Sequence, residues 1–208
     1  MSAGQRAPPP LPPSIYFGGC SWGAAFYVGV HRAMEEMWGR DFSSRTLIAG
    51  GSAGTIIAVL IALGLSCEDT DRVYRKLASR AESEGTFGRG TLYVEAVLRE
   101  VFEQHPDAHK KLLNKCRLGT TSFPCTHRWH RHWDGVEDLV ATIKGSFHIP
   151  FYCTPFIHAI RGEEVVDGAY GFAGRDLPHG DRTLYVGIDP HAEVCTPPLR
   201  LVLREHIS

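Results

Sequence analysis

The stretch Gly50-Gly51-Ser52-Ala53-Gly54 offers a serine hydroxyl flanked by small residues and fits G-x-S-x-G with one extra leading glycine. A short apolar segment, Thr46 to Ala49, precedes it, and an apolar helix-forming segment follows to Leu63, ending at Gly64. This order predicts a strand, a tight turn and a helix, the setting in which a strained turn exposes a nucleophilic Oγ. Gly51, Ala53 and Gly54 let backbones approach closely, and the helix N-terminus favours negative charge developing at the hydroxyl. The same residues also fit an ordinary glycine-rich turn with a serine at a helix N-cap.

A serine acting on acyl groups needs donors for an oxyanion and a base. Gly18-Gly19-Cys20-Ser21-Trp22-Gly23 follows the short strand-like segment Ser14 to Phe17. With few side chains in the way, its backbone amides can be aimed at a forming oxyanion. The loop lacks the Lys-Ser/Thr ending of a P-loop, and Cys20 breaks the G-x-G-x-x-G spacing of a dinucleotide site. Much later, Val165-Val166-Asp167-Gly168-Ala169 sets an aspartate at the end of a short strand, in a tight turn where its carboxylate can face a site. Asp-Gly turns without chemistry are common, so this segment says little alone. A second group of reactive residues, Cys116, Cys125, His127, His130 and His132, could hold zinc. Its spacing matches no metal motif, and the interleaved Arg128, Trp129, Arg131 and Trp133 read as a surface segment, with a membrane-interface contact as an alternative.

The elements that must position these groups can be read along the chain. Ala24 to Trp38 has apolar residues at helical spacing and ends at Gly39. Ser66-Cys67-Glu68-Asp69 is a capping-box pattern opening a polar helix to about Ala81. Thr91 to Glu103 reads as a helix, Arg117 to Phe123 as a strand, and Asp134 as the cap of a helix through Ile143. Phe147 to Tyr152, Glu164 to Val166 and Thr183 to Ile188 read as further strands. Strands alternating with helices argue for an α/β layered fold with a largely parallel sheet.

The 208 residues suit one such domain. With 22 basic and 23 acidic residues the chain shows no basic excess, which argues against nucleic acid as a partner. Residues 1–13 hold five prolines and read as a disordered or polyproline leader, with SH3-ligand use as an alternative. No apolar secretory core occurs in Met1 to Ser14, and the six cysteines are scattered, so a reduced, intracellular protein is expected. The longest apolar run, Ile56 to Leu63, is too short to span a bilayer, which leaves peripheral association as the expected mode at any membrane.

Taken together, the glycine loop after the first strand, G-x-S-x-G after the next and the distant Asp-Gly-Ala resemble the patatin-like phospholipase family over roughly Ser14 to Pro190. Phe147-His148-Ile149-Pro150 and Arg161 to Gly168 also look like the family's approach to its aspartate, and the Gly-Cys loop is similar to the adiponutrin and adipose-triglyceride-lipase branch. The resemblance implies a three-layer α/β/α fold with a mainly parallel central sheet, covering 14–208. It implies Ser52 as nucleophile, Asp167 as base, Gly18, Gly19 and Cys20 as the oxyanion hole, and Gly168 and Ala169 as the turn after the aspartate. It further implies no metal or organic cofactor, a lipid ester as substrate in phospholipase A or acylglycerol lipase style, and a peripheral place at a membrane or lipid droplet. A catalytically silent lipid-binding or scaffold protein is the alternative. Cys20 stands where the family loop has a third glycine, and Trp22 where it has a basic residue, which bears on phosphate-headgroup preference. His179, His191 and His206 follow Asp167, so chain order alone permits a Ser-Asp-His triad. Only two strands precede Ser52, however, which favours a Ser-Asp dyad. A carboxylate base at its ordinary pKa would stay ionised across neutral pH, unless burial raises it.

Overall fold

Alternating side chains decide which face of each strand is buried against what. The computed structural model describes residues 7–122, 125–154 and 158–188. Strand β1 (Ser14–Phe17) leads through a single 3-10 turn at Ser21–Ala24 into helix α1 (Ala25–Trp38). β2 (Leu47–Gly51) leads into α2 (Gly54–Ala62). Three helices follow, α3 (Cys67–Glu84), α4 (Gly90–Gln104) and the short α5 (Ala108–Lys111). Then come β3 (Cys116–Ser122), β4 (Thr126–His130), α6 (Val136–Ser146), β5 (His158–Ile160), β6 (Glu163–Val166) and β7 (Thr183–Val186).

The seven strands form one mixed sheet, ordered β5-β6-β3-β2-β1-β7, with β4 also paired to β3. The centre is parallel: β7, β1, β2 and β3 run the same way. The antiparallel pairings, β3 with β4, β3 with β6 and β5 with β6, lie at one side. Ile15, Phe17, Ile48, Leu118, Leu184 and Val186 join the main core with the buried faces of the helices. Helix α2 packs against β1, β2 and β3 and also against α1, α3 and α6. All nine of its residues are buried, which explains its all-round apolar sequence. The alternate residues Tyr16, Ala49 and Tyr185 face the other way and pack with Trp129, Phe172 and Leu177. This second face is covered by the segment carrying the 3-10 turns Gly174–Asp176 and Gly180–Arg182, so the outer layer is thin here among the described residues.

The Ser66 capping box forms with Asp69 as expected, and no helix is long and apolar enough to cross a membrane among the described residues. Two expectations are corrected. Phe147 to Tyr152 is not a strand: Phe147 caps the end of α6, and only Pro150 forms an isolated bridge, to Thr154. Proline offers no N–H to extend a ladder. Asp134 does not cap α6 with its side chain; Gly135 holds the N-cap position, and the Asp138 carboxylate accepts the Asp134 N–H. The expected surface segment forms β4, whose residues are exposed or half-buried. Over the part described, carbonyls of the proline-rich stretch are tied to the domain. Pro9 O accepts from Trp38 Nε1, Pro12 O from Thr46 Oγ1 and Pro13 O from the Leu47 N–H. Residues 1–6 of the expected leader lie outside the described residues.

Candidate active site

Two strands meet end to end on one edge of β3. β2 runs parallel to it, pairing Gly51 with Gly119, while β6 runs antiparallel, pairing Val166 with Thr121. β4 pairs with Leu118 through Ser122 and thereby occupies the opposite edge. Both β2 and β6 therefore end beside Thr120, one ladder step from each other. The residue after Gly51 is Ser52, and the residue after Val166 is Asp167. The convergence of these two side chains follows from strand register.

The chain reverses sharply between β2 and α2. Ser52 sits at φ +55, a conformation that costs a non-glycine residue about 1–3 kcal/mol. The turn is held by the Thr55 N–H donating to Ser52 O (3.0 Å) and the Ser52 N–H donating to Ser146 Oγ (3.1 Å). Gly54 allows α2 to start against the end of β1: a Cβ there would lie 2.2 Å from Phe17 O and 2.4 Å from Gly18 O. The turn aims Ser52 Oγ at Asp167 Oδ2, to which it donates at 2.6 Å.

Asp167 is fixed on all sides. Its Oδ1 accepts the Ala169 N–H (2.8 Å), its N–H donates to His148 O (2.8 Å), and its carbonyl accepts Thr121 Oγ1–H (2.8 Å). The residue is 3% exposed. Burial raises its pKa above the ordinary carboxylate value, while the bonds from Ser52 and Ala169 pull the other way. Among the described residues no Lys, Arg or His lines the cleft around it.

The glycine loop lies against this pair. A Cβ on Gly19 would stand 3.3 Å from Ser52 Cβ and 3.5 Å from Ser52 Oγ. The three amides expected of an oxyanion hole are not equivalent. The Gly18 N–H donates to Val186 O (2.8 Å) as an extension of the sheet, and Gly18 O accepts from Tyr27 OH (2.7 Å). The Gly18 N–H, expected as a donor to the oxyanion, is thus already engaged by the sheet. The Gly19 and Cys20 amides have no protein partner among the described residues. Burial pushes the Cys20 thiol up to about 12, so it stays protonated and is no competing nucleophile.

Ser52 and Asp167 open into a cleft of about 160 Å³ whose walls are mostly apolar, with Ile56, Leu77, Val94, Phe147 and Ile149 among them. At its mouth Trp22 Nε1 donates to Tyr152 OH (2.8 Å), and Phe87 packs edge-on to Tyr152. Phe87 and Phe151 are 74% and 73% exposed, and Phe151 is held at φ +66.

The cysteine–histidine group does not assemble. His127 and His130 are three apart on a strand and so face opposite ways. His127 packs edge-on to Trp129 and Phe172, and His130 bonds Thr120 Oγ1 (2.8 Å). Cys116 and Cys125 lie near opposite ends of the β3–β4 hairpin, roughly 20 Å apart by strand rise. Ligand-type side chains gather elsewhere: Glu35, Cys67 and Glu68 form the one such group of three among the described residues. There Glu35 Oε1 accepts the Cys67 N–H at the start of α3, and Glu68 pairs with Arg40. His179 belongs to the segment covering the far face, where its N–H donates to Thr183 Oγ1. His191 and His206 lie outside the described residues.

Sequence reading missed Ser146, Thr55 and Thr121, which hold the two turns in place. A serine next to a glycine at a helix end was the visible signal for Ser146, and nothing local marks the other two.

The family model described as patatin-like phospholipase matches residues 15–173, most of the chain. Omega-hydroxyceramide transacylase of Mus musculus is 23% identical over 169 residues, covering 79% of this chain and 28% of that protein. Patatin-like phospholipase domain-containing protein 5 of Homo sapiens is 22% identical over 181 residues, covering 85% of this chain and 42% of that protein. The chain thus spans less than half the length of these curated relatives. The crystal structure of type III effector protein ExoU is similar at a TM-score of 0.44 and 13% identity, covering 95% of this chain and 51% of that one. The chain belongs to the patatin-like phospholipase family.

Proposed function

We propose that the protein is a lipid acyl hydrolase working through a Ser52–Asp167 dyad. The observation that carries this reading is the 2.6 Å hydrogen bond between a serine at positive φ and a buried carboxylate, at the base of an apolar cleft. Asp167 Oδ2 takes the Ser52 proton as Oγ attacks the ester carbonyl. The oxyanion rests on the Gly19 and Cys20 amides. Collapse expels the alcohol, which receives the proton from Asp167, and leaves an acyl-serine. Water then gives a proton to Asp167 as its oxygen attacks the acyl carbon, and Ser52 leaves with that proton as the acid departs. No step calls for a metal or an organic cofactor. If an alcohol takes the place of this water, the same acyl-serine is transferred rather than hydrolysed. The relatives named as transacylases support keeping that outcome in the assay. Exposed Trp22, Phe87 and Phe151 around the mouth support a peripheral approach to a membrane or lipid-droplet surface.

The test is intact-mass analysis after a fluorophosphonate probe, with hydrolysis of a short soluble ester followed in parallel, with and without added alcohol. One adduct on Ser52, absent from Ser52→Ala, together with ester turnover is expected. An unlabelled, inactive protein would leave the silent lipid-binding alternative.

A further inference from the structure

Ser146 is the last residue of α6 and is fully buried. Its Oγ meets three groups: the Ser52 N–H at 3.1 Å, Thr55 Oγ1 at 2.5 Å and Gly119 O at 2.5 Å. A hydroxyl has one proton to give and two lone pairs to fill. Gly119 O can only accept, so it takes the Ser146 proton. The Ser52 N–H can only donate, so it fills one lone pair. The remaining lone pair accepts from the Thr55 hydroxyl, and the capacity of Ser146 Oγ is complete. The carbonyl of the same residue accepts the Gly168 N–H at 2.7 Å. One residue thus ties the Ser52 turn, the first turn of α2, strand β3 and the turn that carries Asp167.

We propose that Ser146 is a positioning residue for acyl transfer, whose Oγ holds the Ser52 turn while its carbonyl holds the Asp167 turn, so that it sets the contact between nucleophile and base. This rests on the dyad reading above. Ser52 keeps an unfavourable backbone angle, which the surrounding structure has to enforce. Without Ser146 Oγ its N–H loses its partner, and the turn is free to relax away from Asp167. A displacement approaching 1 Å at a reacting centre costs on the order of 10²-fold in rate.

The test compares wild type with Ser146→Ala and Thr55→Val, using probe-labelling rate, kcat and KM on a soluble ester, the pH profile and thermal unfolding. Ser146→Ala is expected to lower kcat and the labelling rate about 10–100-fold, with KM within about twofold. Thr55→Val, which keeps shape but removes a donor to Ser146, should lose less in the same direction, and the double variant should be little worse than Ser146→Ala. The bond from Ser52 is one of the interactions lowering the Asp167 pKa. Lengthening it should move the acid limb of kcat/KM to higher pH, a change that a purely structural serine would not produce. Loss of thermal stability with unchanged labelling rate and unchanged acid limb overturns the proposal. If Ser146→Ala does not fold, Thr55→Val decides alone: a lowered kcat with a raised acid limb supports the proposal, and wild-type values of both overturn it. Absence of labelling on wild-type Ser52 overturns the dyad reading and this proposal with it. Labelled wild type with equally fast Ser146→Ala overturns this proposal only.

Discussion

Strand β3 carries reactive residue types along both edges, with opposite outcomes. On one edge β2 and β6 meet end to end, and Ser52 and Asp167 come within 2.6 Å in an apolar cleft. On the other, β4 supplies His127 and His130, which point to opposite faces and are taken up by aromatic packing and by a threonine hydroxyl. Metal-ligand and nucleophile chemistry both depend on convergence. In a sheet convergence comes from strand ends, where the chain turns, rather than from spacing within one strand, where alternation separates neighbours. The carboxyl ends of parallel strands are accordingly where α/β sheets place their sites.

The strongest way to break this contrast is to remove the converging pair. Ser52→Ala and Asp167→Asn are each expected to reduce ester turnover by about 10³-fold or more, since members of a catalytic unit fail together. The double variant should be little worse than either single. Additive losses in kcat, measured on folded protein, would mean that the two residues do not act as a unit.

Much of this edge was legible in the sequence because its turns need particular residues. Gly19 and Gly54 lie where a Cβ would press on Ser52 or strike the end of β1, and Asp167 sits before a glycine and an alanine in a tight turn. Helices α1 and α4 carried apolar residues at helical spacing, α2 an unbroken apolar run and α3 a capping box, while the family resemblance came from the glycine and aspartate turns. The far edge was illegible: β4 reads Thr-His-Arg-Trp-His, five polar or amphipathic residues that become a strand only by pairing with β3. Ser146 escaped for a related reason, because its partner Ser52 is 94 positions away and only the fold brings them together. Phe147 to Tyr152 looked like a strand on hydrophobicity alone, yet Phe147, Ile149 and Tyr152 line the cleft wall instead. The fate of the Gly18 amide could not be read either, since it depends on β7 lying beside β1.

A smaller effect sharpens the electrostatic side of the comparison. Burial raises the Asp167 pKa in the folded protein, against about 3.9 in an unfolded chain. The folded state therefore holds the proton more tightly. The corresponding stabilisation is complete below the unfolded pKa and is lost as pH rises through the folded one. Activity runs the other way, since the base must be ionised, so turnover should rise with pH through a limb above the ordinary carboxylate range. Asp167→Asn, which removes the charge, should unfold at a higher temperature than wild type at pH 7, and the gap should close towards pH 4. A shift of roughly 2–4 °C accompanies each kcal/mol in a chain of this size. Thermal melts across that range check the sign, and a wild type more stable than Asp167→Asn at pH 7 would show that its carboxylate is not strained by burial.

The smallest effect is expected on the histidine edge. Burial pushes His130 down to about 4 and lowers His127 as well, so both rings are neutral at pH 7 and neither faces the cleft. His179 lies on the far face of the sheet, in the segment that packs beneath Tyr16 and Tyr185. Replacing His127, His130, His179, His191 and His206 one at a time by glutamine should leave ester turnover within a few-fold of wild type. A general base contributes about 10²–10⁴-fold, so the two outcomes are far apart. Any loss at His127 should follow its packing against Trp129 and Phe172, and should appear as a lower unfolding temperature with an unchanged pH profile. A chelator should leave wild-type turnover as it is. The decisive result would be a collapse of 10²-fold or more at one histidine in a protein with an intact circular dichroism spectrum, with the acid limb centred near 6.5 disappearing in that variant. Those two changes together would move the base from Asp167 to imidazole, because a carboxylate raised by burial gives a limb that follows Asp167 and leaves every histidine dispensable.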